Sequence, residues 1–173
     1  MRFISERALS IHKKYIEEEK ARLSLFEKTY PDICSNDING ILRSRCKEKT
    51  EILRIALNIR CHEIYFSSFD KLYTSSSAVR SAYKTEASFL YEIQKYATNF
   101  NNDFIFIYSD GEKVFIRGGD ELVLLKTFGN VLAIDLKEHA YFLDYGFDRC
   151  EYVRRLLPYL NLSILDKKIS LKD

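Results

Sequence analysis

The chain offers few side chains for chemistry: three histidines, four scattered cysteines and its carboxylates. Asp135 and His139 stand four apart, so a helical turn between them would put a carboxylate and an imidazole on one face, aimed at one point. His62 brings a second imidazole from a distant segment. Two imidazoles and a carboxylate are borderline nitrogen and oxygen donors, suited to iron, manganese or zinc. A plainer reading makes His62 a core histidine bonded to a carbonyl and Asp135 a helix cap. Spacing alone leaves both open. Cys34, Cys46, Cys61 and Cys150 form no C-x-x-C pair, which supports neither a zinc knuckle nor a dithiol redox site and leaves free thiols as the expectation.

Hydrophobic periodicity indicates the elements that would position these groups. Residues 5 to 27 read as a helix, with apolar positions at Leu9, Ile16, Leu23 and Phe26 and a second set at Ala8, Ile11 and Tyr15. Pro31 ends it, Ser35, Asn36 and Asp37 offer caps, and Gly40 marks a break or weak turn before a longer helix at about 45 to 69. That helix carries Ile52, Ile55, Ile59, His62, Phe66 and Phe69 on one stripe, which places His62 on the buried face. The two helices should pack as an antiparallel hairpin. Thr74 to Ser77 is a polar interruption that divides a helical part, 1–73, from a mixed part, 74–173. In the second part, 84 to 96 reads as a helix. Asp103 to Tyr108 and Lys113 to Arg117 read as strands joined through Ser109-Asp110-Gly111-Glu112. Leu122 to Leu125 suggests a short edge strand, and Val131 to Ile134 a strand that delivers the chain to Asp135. Helices should follow at about 137 to 144 and 148 to 160, the second disturbed at Pro158. The fold class is α+β: a helical hairpin, then a small three-stranded antiparallel sheet with flanking helices.

Composition fits a globular protein of one domain or two parts sharing a core, with 46% hydrophobic and 30% charged residues. No apolar run approaches the roughly 18 residues a membrane helix needs. The amino-terminal MRFISERALSIHKKY lacks an apolar signal region and carries Glu6, so the expected address is cytoplasmic, with a processed leader and a mitochondrial address as the alternative. Lys plus Arg exceed Asp plus Glu by two. The basic clusters Arg43, Arg45, Lys47, Lys49 and Arg154, Arg155 have acidic neighbours, so a nucleic-acid surface is open but unforced.

The run Asp135-Leu-Lys137-Glu138-His139-Ala140-Tyr141-Phe142-Leu143-Asp144-Tyr145, followed by Arg149 and Tyr152, closely resembles the signature of the iron/manganese superoxide dismutases. Their pattern is D-x-W-E-H-A-Y-Y, then L-x-Y, an Arg and a Tyr. Upstream, His12-Lys-Lys-Tyr15-Ile16 resembles the family's H-x-x-Y-V, Cys61-His62-Glu63-Ile64-Tyr65-Phe66 its N-H-x-x-F-W, and Phe104-Ile-Phe106-Ile107 its W-x-W-L strand. The resemblance covers nearly the whole chain. It implies that His62, Asp135 and His139 are metal ligands and that Tyr15 is the tyrosine gating substrate access.

The same resemblance implies an altered site. The family's fourth ligand lies eight residues before the gateway tyrosine, where this chain has Arg7, a permanent cation without a lone pair. Arg7 would either pair with Asp135 in a metal-free cavity or turn to solvent. His12 matches a family histidine that is not a ligand, and only a shift of the helix would recruit it. The solvent-binding glutamine is replaced by Gly118-Gly119 in the sheet region, or by Asn58 four residues before His62. The signature tryptophan is Lys137, in a chain with no tryptophan. Glu138 would reach across a two-fold axis to the other subunit's metal-ligand histidine, the position of His139. A second cross-subunit contact falls on Ile11 and Phe142, both apolar. The resulting expectation is a metal-free relative that has lost dismutation and serves a structural or protein-binding role, as a homodimer or a heterodimer with a related chain. A place in a large assembly such as a mitochondrial ribosome is implied by family precedent. The alternative is an active iron- or manganese-dependent superoxide dismutase.

Overall fold

A computed structural model of the protein describes residues 3–30, 37–44, 48–70 and 74–167. Among these residues, seven α-helices and three strands follow in the order α1 (Glu6–Thr29), α2 (Ile38–Arg43), α3 (Lys49–Ser67), α4 (Ser77–Ala82), α5 (Glu86–Thr98), β1 (Phe104–Ser109), β2 (Val114–Gly119), β3 (Asn130–Asp135), α6 (Glu138–Tyr145) and α7 (Arg149–Leu156). The architecture is α+β, with helices first and a small antiparallel sheet after them.

Helix α1 starts where the Ser5 hydroxyl accepts from the Ala8 amide, and it buries Ala8, His12, Ile16 and Leu23. Leu23 joins Ile41, Ile52, Ile55 and Ile59 in a cluster that binds α1, α2 and α3 along the hairpin. Gly40 does not break the chain but sits inside α2. The Asp37 carboxylate accepts from the Gly40 amide at 2.8 Å, and a Cβ at Gly40 would lie 2.5 Å from Asp37 Oδ2. The cap itself therefore requires the glycine. Pro31, Ser35, Asn36, Cys34, Arg45, Cys46 and Lys47 lie outside the described residues.

The sheet has the order β2-β1-β3, all antiparallel. β1 is buried along its whole length, and its alternation sorts residues between two cores. Ile105 and Ile107 face a cluster with Phe89, Ile93 and Val153, while Phe104, Phe106 and Tyr108 pack with Cys61 and Tyr65 of α3. Register places Phe104 opposite Asp135 on one side and Gly119 on the other.

The apolar run at Leu122 to Leu125 is not an edge strand. It forms a 3-10 helix, Glu121–Lys126, begun by Asp120, whose carboxylate accepts from the Leu122 amide. Leu122 and Leu124 thereby reach the hairpin core, and Glu121 is buried with its carboxylate receiving Arg54 at 2.5 Å. Burial against α3 wins over β-propensity here.

Two residues of the carboxy-terminal signature tie the layers together. Arg149 is buried and donates to the carbonyls of Ala97, Asn99 and Asn102, which close α5 onto β1. The hydroxyls of Tyr152 and Tyr65 lie 3.1 Å apart and link α7 to α3. α7 ends at Leu156, before a 3-10 turn that holds Pro158. Arg154 and Arg155 both bond Glu151, which neutralises much of that basic cluster. Among the described residues no helix is long and apolar enough to cross a membrane.

Candidate metal centre

Four elements converge on one point. His12 comes from α1, His62 from α3, Asp135 from the last position of β3 and His139 from the first turn of α6. One donor atom from each lies within 4.8 Å of all the others. Asp135 Oδ2 is 3.0 Å from the Nε2 of His12, His62 and His139 alike. The Nε2 atoms of His62 and His139 are 3.1 Å apart. His12, His62 and Asp135 have no exposed side-chain surface, whereas His139 keeps 19%.

Local structure fixes each donor. Asp135 and His139 do not share a helix, since Asp135 is a strand residue and α6 begins at Glu138. They meet because the chain turns sharply between them: Asp135 Oδ1 accepts the Lys137 amide at 2.8 Å, which leaves Oδ2 pointing inward. The His62 Nδ1–H donates to the Asn58 carbonyl at 2.7 Å. That bond sets the tautomer and turns an unprotonated Nε2 toward the centre. Both plain roles, a histidine bonded to a carbonyl and a carboxylate capping a turn, are thus present and serve to aim the ligand atoms.

His12 is the unexpected member. Neither of its ring nitrogens has a hydrogen-bond partner among the described residues, because its Nε2 approaches Asp135 Oδ2 without the alignment of a hydrogen bond. A buried imidazole left this way is costly unless something else satisfies it. Burial pushes the His12 pKa down, against the pull of the Asp135 carboxylate, and so favours the neutral ring that can offer a lone pair. For Asp135 burial opposes ionisation, but the three imidazoles packed against its carboxylate, His62 foremost, outweigh it and hold the carboxyl well below its usual range. The group is three imidazole nitrogens and an anionic oxygen: Asp135 Oδ2 lies 3.0 Å from each Nε2, those of His62 and His139 are 3.1 Å apart, and every pair of donors falls within 4.8 Å. Donors at right angles around an ion about 2.1 Å away would be separated by about 3.0 Å. The residues fit a divalent or trivalent cation.

Arg7 is exposed and takes no part in the cluster, so the salt bridge to Asp135 is absent and the solvent-facing alternative holds. Five positions separate Arg7 from His12, about 140° around a helix, and the face that meets Asp135 is the one bearing His12. A signal for this was present in Ala8, His12, Ile16 and Leu23, a stripe at helical spacing that runs through the histidine. Ile11, read from sequence as an apolar position, is instead 45% exposed, as is Phe142 at 44%. Glu138 is exposed as well.

The remaining positions around the centre form its wall. Tyr15 stacks on His139 with ring centroids 4.0 Å apart; burial raises its phenol pKa, so it retains its proton at neutral pH. The buried Asn58 amide donates to the Tyr15 hydroxyl at 3.0 Å, and Lys137 Nζ donates to Asn58 Oδ1 at 2.8 Å. Gly119 contributes nothing polar: a Cβ there would lie 2.5 Å from Val123 Cγ2, and one at Gly118 would strike the Asn102 amide. The sheet thus has no room for a glutamine, and the side-chain amide beside Tyr15 comes from α3.

Residues 71–168 match the sequence profile of the iron/manganese superoxide dismutases, C-terminal domain. A search of curated proteins returns no match. The profile covers more than half of the chain, a span that contains Asp135, His139, Arg149 and Tyr152, and the chain belongs to the iron/manganese superoxide dismutase family.

Proposed function

We propose that this protein binds one iron or manganese ion through His12, His62, Asp135 and His139 and dismutes superoxide. The supporting observation is the His12 Nε2, fully buried, without a hydrogen-bond partner and 3.0 Å from Asp135 Oδ2. Arg7 standing where a ligand is needed argues for loss of catalysis, whereas His12 offers a nitrogen from the same helix. A bound iron or manganese ion would supply one-electron redox chemistry at this point. The protein's own contribution is a largely buried pocket, an anionic oxygen and a proton source. Tyr15 holds its proton over His139 at the edge of a cleft of about 670 Å³, within reach of a small anion entering there.

A second reading keeps the fold and drops the chemistry, and it is favoured by Lys137 in place of tryptophan and by the exposed Ile11, Phe142, Leu143 and Phe147. On that reading the exposed side chains dock a second copy or another protein. Superoxide consumption by the iron- or manganese-loaded protein, measured against the metal alone, separates the two. Dismutation above the metal blank that disappears in His12→Ala is the expected result. A metal-loaded protein no faster than the blank would leave the binding role as the function.

A further inference from the structure

Lys137 stands where the family's pattern has a tryptophan, and it is held at both ends. Its amide bonds Asp135 Oδ1 at 2.8 Å, and its ammonium lies 5.1 Å from the Phe104 ring centroid, over the ring face. From there Nζ donates to Asn58 Oδ1 at 2.8 Å, and Asn58 Nδ2 lies 3.0 Å from the Tyr15 hydroxyl. All three side chains line the cleft beside the histidine cluster.

An ammonium has donors and no acceptor, whereas an amide has one end of each kind. Lys137 can therefore face only the Oδ1 end of Asn58, which commits Nδ2 to the other side. Tyr15 must then accept from Asn58. Its own proton is left free to be offered elsewhere, toward the cleft. With the amide reversed, Tyr15 would donate to Oδ1 and its proton would be occupied. The backbone carbonyl of Asn58, bonded to His62 Nδ1 at 2.7 Å, holds the main chain and not the amide rotor; Glu19 Oε2 accepts from Nδ2 only at a long 3.5 Å, so the 2.8 Å bond from Lys137 is the stronger hold on the amide.

We propose that Lys137 is a positioning residue that, by orienting the Asn58 amide, presents the Tyr15 hydroxyl as a hydrogen-bond donor to small anions entering the cleft. The orientation of Tyr15 stands on the protein alone, and only anion capture at the centre rests on the metal reading above. Glu19 and Glu121 also line the cleft, so its charge is mixed and selection of an anion must come from directed donors more than from net field.

Two measurements test this, one of them free of metal. With tyrosine labelled at Cζ, the Tyr15 carbon resonance of the metal-free protein, assigned through Tyr15→Phe, should move in Lys137→Met and in Asn58→Ala and stay in place in Lys137→Arg, which keeps a donor. In the iron(III)-loaded protein, azide titrated by its visible absorption should bind about tenfold more weakly in Lys137→Met, the loss of roughly one hydrogen bond, and nearly normally in Lys137→Arg, with iron content unchanged. A Tyr15 resonance and azide affinity that ignore Lys137→Met, or a Lys137→Arg protein that behaves like Lys137→Met, would overturn the proposal. Failure to take up iron would refute the metal reading while the Tyr15 resonance still judged Lys137.

Discussion

Two residues on α1 carry opposite expectations, although they lie five positions apart. Arg7 is exposed, and replacing it with Ala should change stability by well under 1 kcal/mol in a denaturant melt. His12→Ala removes a fully buried ring that has no hydrogen bond to lose, so the metal-free protein should lose about 1 to 3 kcal/mol through the cavity, while affinity for metal should collapse. A melt in which Arg7→Ala costs more than His12→Ala would show that the α1 register is misassigned. His62, Asp135 and His139 were legible in the sequence because each sits in a contiguous motif whose neighbours also match. His12 was hidden because counting back from Tyr15 assumes that the ligand keeps its distance along the helix. In this chain His12, and not Arg7, lies on the face of α1 that meets Asp135.

The elements repeat that contrast between local and tertiary information. Aromatic and β-branched runs announced β1, β2 and β3, and spaced apolar residues announced α1, α3, α5, α6 and α7. The 3-10 helix at Glu121–Lys126 has a strand-like sequence and is decided by what it covers, namely the hairpin core and Gly119. Gly119→Ala should cost about 1 to 3 kcal/mol by overpacking Val123, seen as a lower denaturant midpoint at constant slope. Helix α4 was not visible because its partner is distant: Asp166 accepts from the Ser76 hydroxyl at 2.7 Å and from the amides of Ser77 and Ala78 at 2.9 Å. Partial burial works against its ionisation, yet these bonds hold its pKa below the ordinary value. A depressed folded pKa stabilises above the unfolded aspartate value, and the gain fades as pH falls through the folded one. Asp166→Ala should thus cost about 1 to 2 kcal/mol at neutral pH, and wild type and variant should converge in acid. A gap that widened below the aspartate range would contradict this assignment.

At the scale of the molecule, the hairpin and the sheet meet at the four-residue cluster, so the centre exists only when both parts have folded. One consequence concerns association. Ile11, Phe142, Leu143 and Phe147 are 45%, 44%, 46% and 78% exposed, and rings 142 and 147 touch edge to face. A second copy is the occupant expected from the family pattern around Glu138 and His139. Sedimentation equilibrium should return twice the chain mass and fall to the monomer mass in Phe142→Glu; a wild-type monomer at micromolar concentration would rule the pairing out. The central claim, that His12 completes a metal site with His62, Asp135 and His139, is tested most directly by elemental analysis of desalted protein reconstituted with iron or manganese. The account predicts one equivalent of metal per folded chain, reduced to a small fraction in His12→Ala and unchanged in Arg7→Ala. A folded wild-type protein without stoichiometric metal, or a His12→Ala protein that keeps its full equivalent, would contradict it.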